Sequence, residues 1–229
     1  MLFLKNKQLM DGGLGFEIRF ENKLIMLTRE ESAKFSKEIN KRFVMQEYND
    51  TFLIFSDDKG ITIKIELDKI IITCENGSIT SFSNIVKEAC LLAMDIFGLK
   101  KVSRIGFRVS AINKQKSLVE AVDGYYNFSK FDKKEMNKVG KLTGFQIVST
   151  IQMPDNMICN ISINPVMRQN IVIGPSPKDN KRTDEYGVLA DIDCFYEGIY
   201  ASKVTVSEFM DNAISNMENK IYPMIEAVK

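Results

Sequence analysis

The sequence predicts an α+β protein, an antiparallel sheet with long helices packed on one face. Three observations carry that expectation. Stretches of strand length with period-two alternation fill much of the chain. Three helical stretches carry their own start or stop signals. The strands follow one another as hairpins and meanders, with no alternating βαβ units of the kind a doubly wound nucleotide-binding fold requires.

In chain order, Phe16-Glu-Ile-Arg-Phe20 alternates as a first strand. Gly12-Gly13-Leu14-Gly15 ahead of it reads as a flexible entry, because a phosphate-cradling loop would follow a strand and open a helix. Thr28-Arg-Glu-Glu31 fits a capping box and opens a helix of roughly fifteen residues, with Ala33, Phe35, Ile39 and Phe43 near one side. Ile61 to Leu67 and Ile70 to Cys74 form a hairpin around Asp68-Lys69. Ser81 is expected to cap a second helix carrying Ile85, Val86, Ala89, Cys90, Leu92, Ala93, Ile96 and Phe97, stopped by Gly98.

From Val102 to Ile112 the chain alternates again, with Ile105, Phe107 and Val109 on one face and Arg104, Gly106 and Arg108 on the other. A short helical patch follows near Ser117 to Val122. Phe145 to Met153 and Met157 to Ile163 are split by the turn Pro154-Asp155-Asn156. Ile171 to Ile173 and Val188 to Tyr196 complete the strands, and Pro175 to Asp184 reads as an exposed loop. A second capping box, Thr205-Val-Ser-Glu208, opens the C-terminal helix. Along it Val206, Met210, Ala213, Ile214, Met217, Ile221 and Ile225 recur at helical spacing, and Pro223 should kink or end it. This order suggests a loose duplication of a β-α-βββ-α unit. Residues 1–229 are expected as a single domain, or as two intimately packed halves, 1–98 and 99–229.

Composition narrows the function classes. The 229 residues carry a formal net charge of +1, so no global field favours nucleic acid or membrane. The excess of lysine over arginine and the abundance of Ile and Asn fit coding bias in an AT-rich bacterial genome. The start, MLFLKNKQLM, is too short in apolar residues for a secretory segment, and no apolar run is long enough to span a bilayer. The four cysteines, Cys74, Cys90, Cys159 and Cys194, show no CxxC pair and read as buried free thiols in a cytoplasmic protein.

The chain has no histidine. That excludes Ser-His-Asp and Cys-His catalysis and histidine-containing zinc sites. What remains is a charged sheet face. Asp191 and Asp193 lie two apart in a strand and point the same way as Phe195 and Glu197. Arg104 and Arg108 share a face of their strand, and Arg19 sits with Glu17 and Glu21 on the first. Arg19, Arg104, Arg108, Asp191 and Asp193 are therefore expected in proximity. Three readings stay open: a salt-bridged surface, a ligand or partner surface, or a divalent-metal site on Asp191 and Asp193. The lysine-rich stretch Lys130 to Lys141, with Tyr125, Tyr126 and Phe128 upstream, could hold single-stranded nucleic acid, although Asp132 and Glu135 dilute its charge and a solvated helix or loop explains it as well.

The segments FEIRF (Phe16 to Phe20), RIGFRV (Arg104 to Val109) and ADIDCF (Ala190 to Phe195), with a C-terminal helix after them, resemble a sporadically distributed prokaryotic family of unknown function. That family carries EIRF-, RIGLRY- and LDID-type strands. The chain departs from the pattern at Val109-Ser110, and the resemblance supplies no catalytic residues. Its patchy occurrence is compatible with defence-associated loci. In architecture alone the chain is similar to the SecB-like fold, which implies binding of extended polypeptide. The resulting expectation is a non-catalytic binding or interaction protein, chaperone-like or defence-associated, with a protein or a second copy of itself as partner and no cofactor. The rival is a carboxylate- and metal-dependent enzyme acting on a phosphorylated or nucleotide substrate.

Overall fold

The structure, a computed structural model, describes residues 8–39, 42–75, 77–129, 138, 146–172, 175–176 and 181–226. Its strands are β1 (Gln8–Phe20), β2 (Val44–Tyr48), β3 (Phe52–Ser56), β4 (Ile61–Glu66), β5 (Lys69–Cys74), β6 (Val102–Gln115), β7 (Ile147–Gln152), β8 (Ile158–Val172) and β9 (Lys181–Glu197). The helices are α1 (Arg29–Ile39), α2 (Ile79–Ile96), α3 (Leu118–Ser129), α4 (Val206–Asn216) and α5 (Tyr222–Glu226), with a π-helical turn at Met217–Ile221 between the last two.

Among the described residues the strands form one sheet in the order β2-β3-β4-β5-β1-β6-β9-β8-β7, and every pairing is antiparallel. β1 closes on β5, the last strand of the meander that follows it, and β6 closes on β9. β1 and β6 pair with each other, setting Phe16 against Phe107 and Ile18 against Ile105. Alternation dictates the core. Leu14, Phe16, Ile18 and Phe20 of β1, Ile105, Phe107 and Val109 of β6, and Ala190, Ile192 and Cys194 of β9 are all buried. Phe209 of α4 meets Phe16 at 6.2 Å between ring centres, Phe82 of α2 meets Phe107 at 6.0 Å, and Phe35 of α1 meets Phe55 at 5.2 Å. Each buried ring contributes roughly 2–3 kcal/mol of apolar burial.

Several local expectations change. β1 starts at Gln8, so the glycine run lies inside the strand, at a register shift between Leu9 and Leu14. Between α1 and β4 there are two strands where the β-α-βββ-α order implied one. α1 spans 11 residues and buries Ser32, Phe35 and Ile39, while Ala33 is exposed; Ser32 fits because its hydroxyl donates to the Thr28 carbonyl at 2.6 Å. α2 starts earlier, capped by Ser78, whose hydroxyl accepts from the Ser81 amide at 3.1 Å. Gly98 ends it at φ 61° with a Leu99 amide bonded to the Met94 carbonyl, as the C-terminal stop required.

β8 runs straight through Pro165; among the described residues β7 pairs with it only as far as Ile163, and none stands on the side to which the missing N–H would point. The segment Lys181 to Asp184, expected as loop, is strand paired with β8. Pro223 does not end the C-terminal helix. The turn before it widens, with the Tyr222 amide bonded to Met217 five residues back, which moves the backbone out of reach of the proline ring. Phe145 and the Lys130 to Lys141 stretch, Lys138 apart, lie outside the described residues, as do the side chains of Tyr125, Tyr126 and Phe128.

The cysteine expectation is corrected for one pair. Cys159 and Cys194 form a disulfide across β8 and β9, where they stand directly opposite each other with Cα atoms 4.2 Å apart. Cys74 and Cys90 are buried outside it, and burial pushes the Cys90 thiol up, which keeps it protonated and unreactive. A cross-strand disulfide is more at home in oxidising compartments, so cysteine usage no longer argues for a cytoplasmic location. Among the described residues no helix is long and apolar enough to cross a membrane.

Candidate functional site

The alternate residues of β1, β6 and β9 form the centre of the opposite side of the sheet. Register sets their neighbours: Arg19 stands against Arg104, Glu17 against Gly106 and Gly15 against Arg108, while β9 places Glu197, Phe195, Asp193 and Asp191 against Arg104, Gly106, Arg108 and Ser110. All five residues singled out in the sequence therefore lie on this side, in two linked groups.

Arg104 organises the first. Its guanidinium donates to Glu17 Oε1 at 3.0 Å and Asp193 Oδ2 at 2.9 Å, and lies 3.4 Å from Glu197 Oε1. It also lies over the Phe195 ring, 4.5 Å from its centre. Arg19 donates to the same Glu17 oxygen at 2.7 Å, so Glu17 joins two guanidinium groups from neighbouring strands. Three carboxylates around a cation that is 18% exposed make Arg104 the keystone of this surface.

The second group is simpler. Arg108 holds Asp191 in a two-pronged bond, 2.6 Å at each prong, and Ser110 adds a hydroxyl to Asp191 Oδ1 at 3.2 Å. The hydrogen bond to Asp191 raises the Arg108 pKa further. Asp193 lies between the groups. Burial pushes its carboxyl up, Arg104 and Arg108 pull it back, and Asp191 adds a smaller upward push, leaving it above the ordinary carboxylate value.

Between the charges the sheet is bare. Gly15, Gly106 and their neighbours floor a shallow depression of about 400 Å³, rimmed by Glu17, Arg19, Thr73, Arg104, Arg108 and Asp193. The two glycines are there for different reasons. A Cβ on Gly106 would come within 2.9 Å of an Arg104 nitrogen and 3.3 Å of Phe195 Cβ, so Gly106 lets Arg104 lie down over the ring. A Cβ on Gly15 would meet only Arg108 Cβ, at an ordinary 3.7 Å, and its backbone is not left-handed. Neither packing nor conformation requires glycine at position 15.

Charge falls away on one flank and closes up on the other. Towards β7 the surface is neutral, with Thr150 donating to Asn160 at 2.8 Å and Gln146 to Ser162 at 2.6 Å. Towards β3, Glu66 is clamped by Lys64 at 2.7 Å and Lys69 at 3.1 Å, and Lys64 lies over the Phe52 ring. Those two hydrogen bonds outweigh burial and hold the Glu66 carboxyl below its ordinary value.

For metal chemistry the arrangement has a specific consequence: both Asp191 oxygens and one Asp193 oxygen face guanidinium groups. Among the described residues no group of three or more His, Cys, Asp or Glu could hold a metal ion. Sequence reasoning overlooked Glu17 as a shared acceptor, Phe195 as the bed for Arg104, and Gly15. The signal for Gly15 is its spacing: two residues before Glu17 and four before Arg19, it belongs to their face once β1 is extended. No model of a known protein family matches this chain, and no curated protein matches it.

Proposed function

We propose that this chain is a non-catalytic binding protein, and that the charged centre of its sheet, around Gly15, is where a protein partner docks. The reading includes helices α1, α2 and α4 covering the other side, and the repeated order of the two halves as a loose duplication. One observation carries it. Gly15 leaves the depression open at a position where an added Cβ would meet only Arg108 Cβ at ordinary contact distance, and where a strand-forming residue would strengthen β1.

The shape favours a macromolecule over a small substrate. Small-molecule sites enclose most of their ligand's surface, whereas this depression lies about half open to solvent. Its rim offers fixed charges of both signs, suited to a partner side chain seated over Gly15 with polar groups around it. Catalysis is disfavoured because the carboxylates nearest the depression are engaged by arginine and the chain has no histidine to move protons near neutral pH. Extended polypeptide of the kind a chaperone-like protein holds would suit the open face.

The test is comparative capture from native cells. A specific protein retained by the wild-type chain should be lost with Gly15→Val and with Arg108→Ala, and kept with Lys87→Ala, which removes an ion pair to Asp211 on the helices. Equal retention by all four chains would refute the reading. Thermal stability should not respond to Mg²⁺ or Mn²⁺; a stabilisation that disappears in Asp193→Ala would favour the metal-dependent enzyme instead.

A further inference from the structure

The sheet has two outer edges, and they are built differently. β2 carries Glu47 and a register break between Met45 and Glu47, two of the devices that stop an edge strand from recruiting another. β7, Ile147–Gln152, has no charged residue, no proline and an unbroken register against β8 over all six residues.

The ladder also fixes which backbone groups of β7 face outward. The Met153 amide donates to the Met157 carbonyl at 2.7 Å, and bonded pairs alternate along an antiparallel ladder. Ile151 and Ser149 therefore bond to β8, and the N–H and C=O groups of Val148, Thr150 and Gln152 point away from it. Among the described residues no strand takes them up. On the polar side of the sheet Val148 is 64% exposed, and the neighbouring side chains Thr150, Asn160 and Ser162 are all neutral.

We infer that β7 pairs antiparallel with β7 of a second copy of this chain, about a two-fold axis perpendicular to the sheet. Charge selects this occupant. An isologous contact sets each strand against its own sequence, so any formal charge near the axis would face its like. Among the described residues β7 and the side chains beside it on the polar side carry none, whereas Glu47 on β2 would meet that repulsion. The same axis keeps the polar sides of both sheets on one surface, so two Gly15 depressions would face the same way. The pairing stands whether or not that depression binds a partner.

Light scattering should give twice the chain mass for the wild type. Val148→Lys puts like charges across the axis at an exposed position, and Thr150→Pro removes one outward N–H at an edge position where proline is tolerated. Each should halve the mass while leaving the circular dichroism unchanged. In the wild type, the amides of Val148, Thr150 and Gln152 should gain exchange protection as concentration rises. A wild-type monomer overturns the proposal. So does a dimer that survives both variants, or one that Gln46→Lys on β2 abolishes while Val148→Lys does not. If a variant misfolds, the three amides decide: fast exchange in a wild-type dimer contradicts β7 pairing.

Discussion

Glu66 and Asp193 are carboxylates on the same side of the sheet, each with two cations near it, and their pKa values move in opposite directions. Glu66 receives hydrogen bonds from both Lys64 and Lys69 and is held below its ordinary value. Asp193 is bonded by Arg104 alone; burial outweighs the pull of Arg104 and Arg108, Asp191 adds a smaller upward push, and its carboxyl is held above its ordinary value. The β4–β5 flank is thus a self-contained clamp that settles its own charge. The β1–β6–β9 centre holds charge against burial around a gap that packing leaves unfilled. Solubility accounts for the first kind of surface; for the second we propose recognition.

The largest effect should come from removing the keystone. Arg104→Ala leaves Glu17, Asp193 and Glu197 without their shared cation and uncovers Phe195, and should cost about 2 kcal/mol in urea denaturation. A loss no larger than that of Lys64→Ala would erase the distinction between centre and flank. Gly15→Val should go the other way, stabilising the fold by about 0.5–1 kcal/mol as the entropy cost of a strand glycine is relieved.

The pH dependence separates the two carboxylates by sign. Glu66 has a depressed folded value, so its contribution to stability is present above the unfolded value and is lost as pH falls through the folded one. Asp193 has a raised folded value, so folding favours its protonated form, and its contribution declines as pH rises from the unfolded to the folded value. Urea midpoints across the acid range should show Glu66→Gln losing stability, by up to about 0.5–1 kcal/mol, only at the higher pH values. Asp193→Asn should be close to neutral at the lower pH values, where the acid is protonated, and more stable than the wild type at the higher ones, flattening the decline. Parallel curves for the two variants would contradict the contrast.

Legibility in the sequence follows the same division. Period-two alternation fixed which residues of β1, β6 and β9 face inward, because burial tolerates only one parity. It also placed Arg19, Arg104, Arg108, Asp191 and Asp193 together. Cross-strand register was not legible, since it depends on long-range pairing that no local pattern encodes. Hence the Cys159–Cys194 disulfide, the sharing of Glu17 by Arg19 and Arg104, and the diagonal bond of Arg108 to Asp191 rather than to Asp193 opposite it all emerged only in the fold. At Pro223, expected to kink or end its helix, the chain stays helical because a widened turn removes the need for the missing N–H.

The most direct test of the proposed docking surface is photo-crosslinking in native cells from a reactive residue placed at Thr73, on the rim of the depression, with Leu91 on the exposed side of α2 as the control position. A discrete protein adduct from position 73, absent from position 91 and abolished when Gly15→Val is added, is the predicted result. No adduct from position 73, or one that persists unchanged with Gly15→Val, would contradict it.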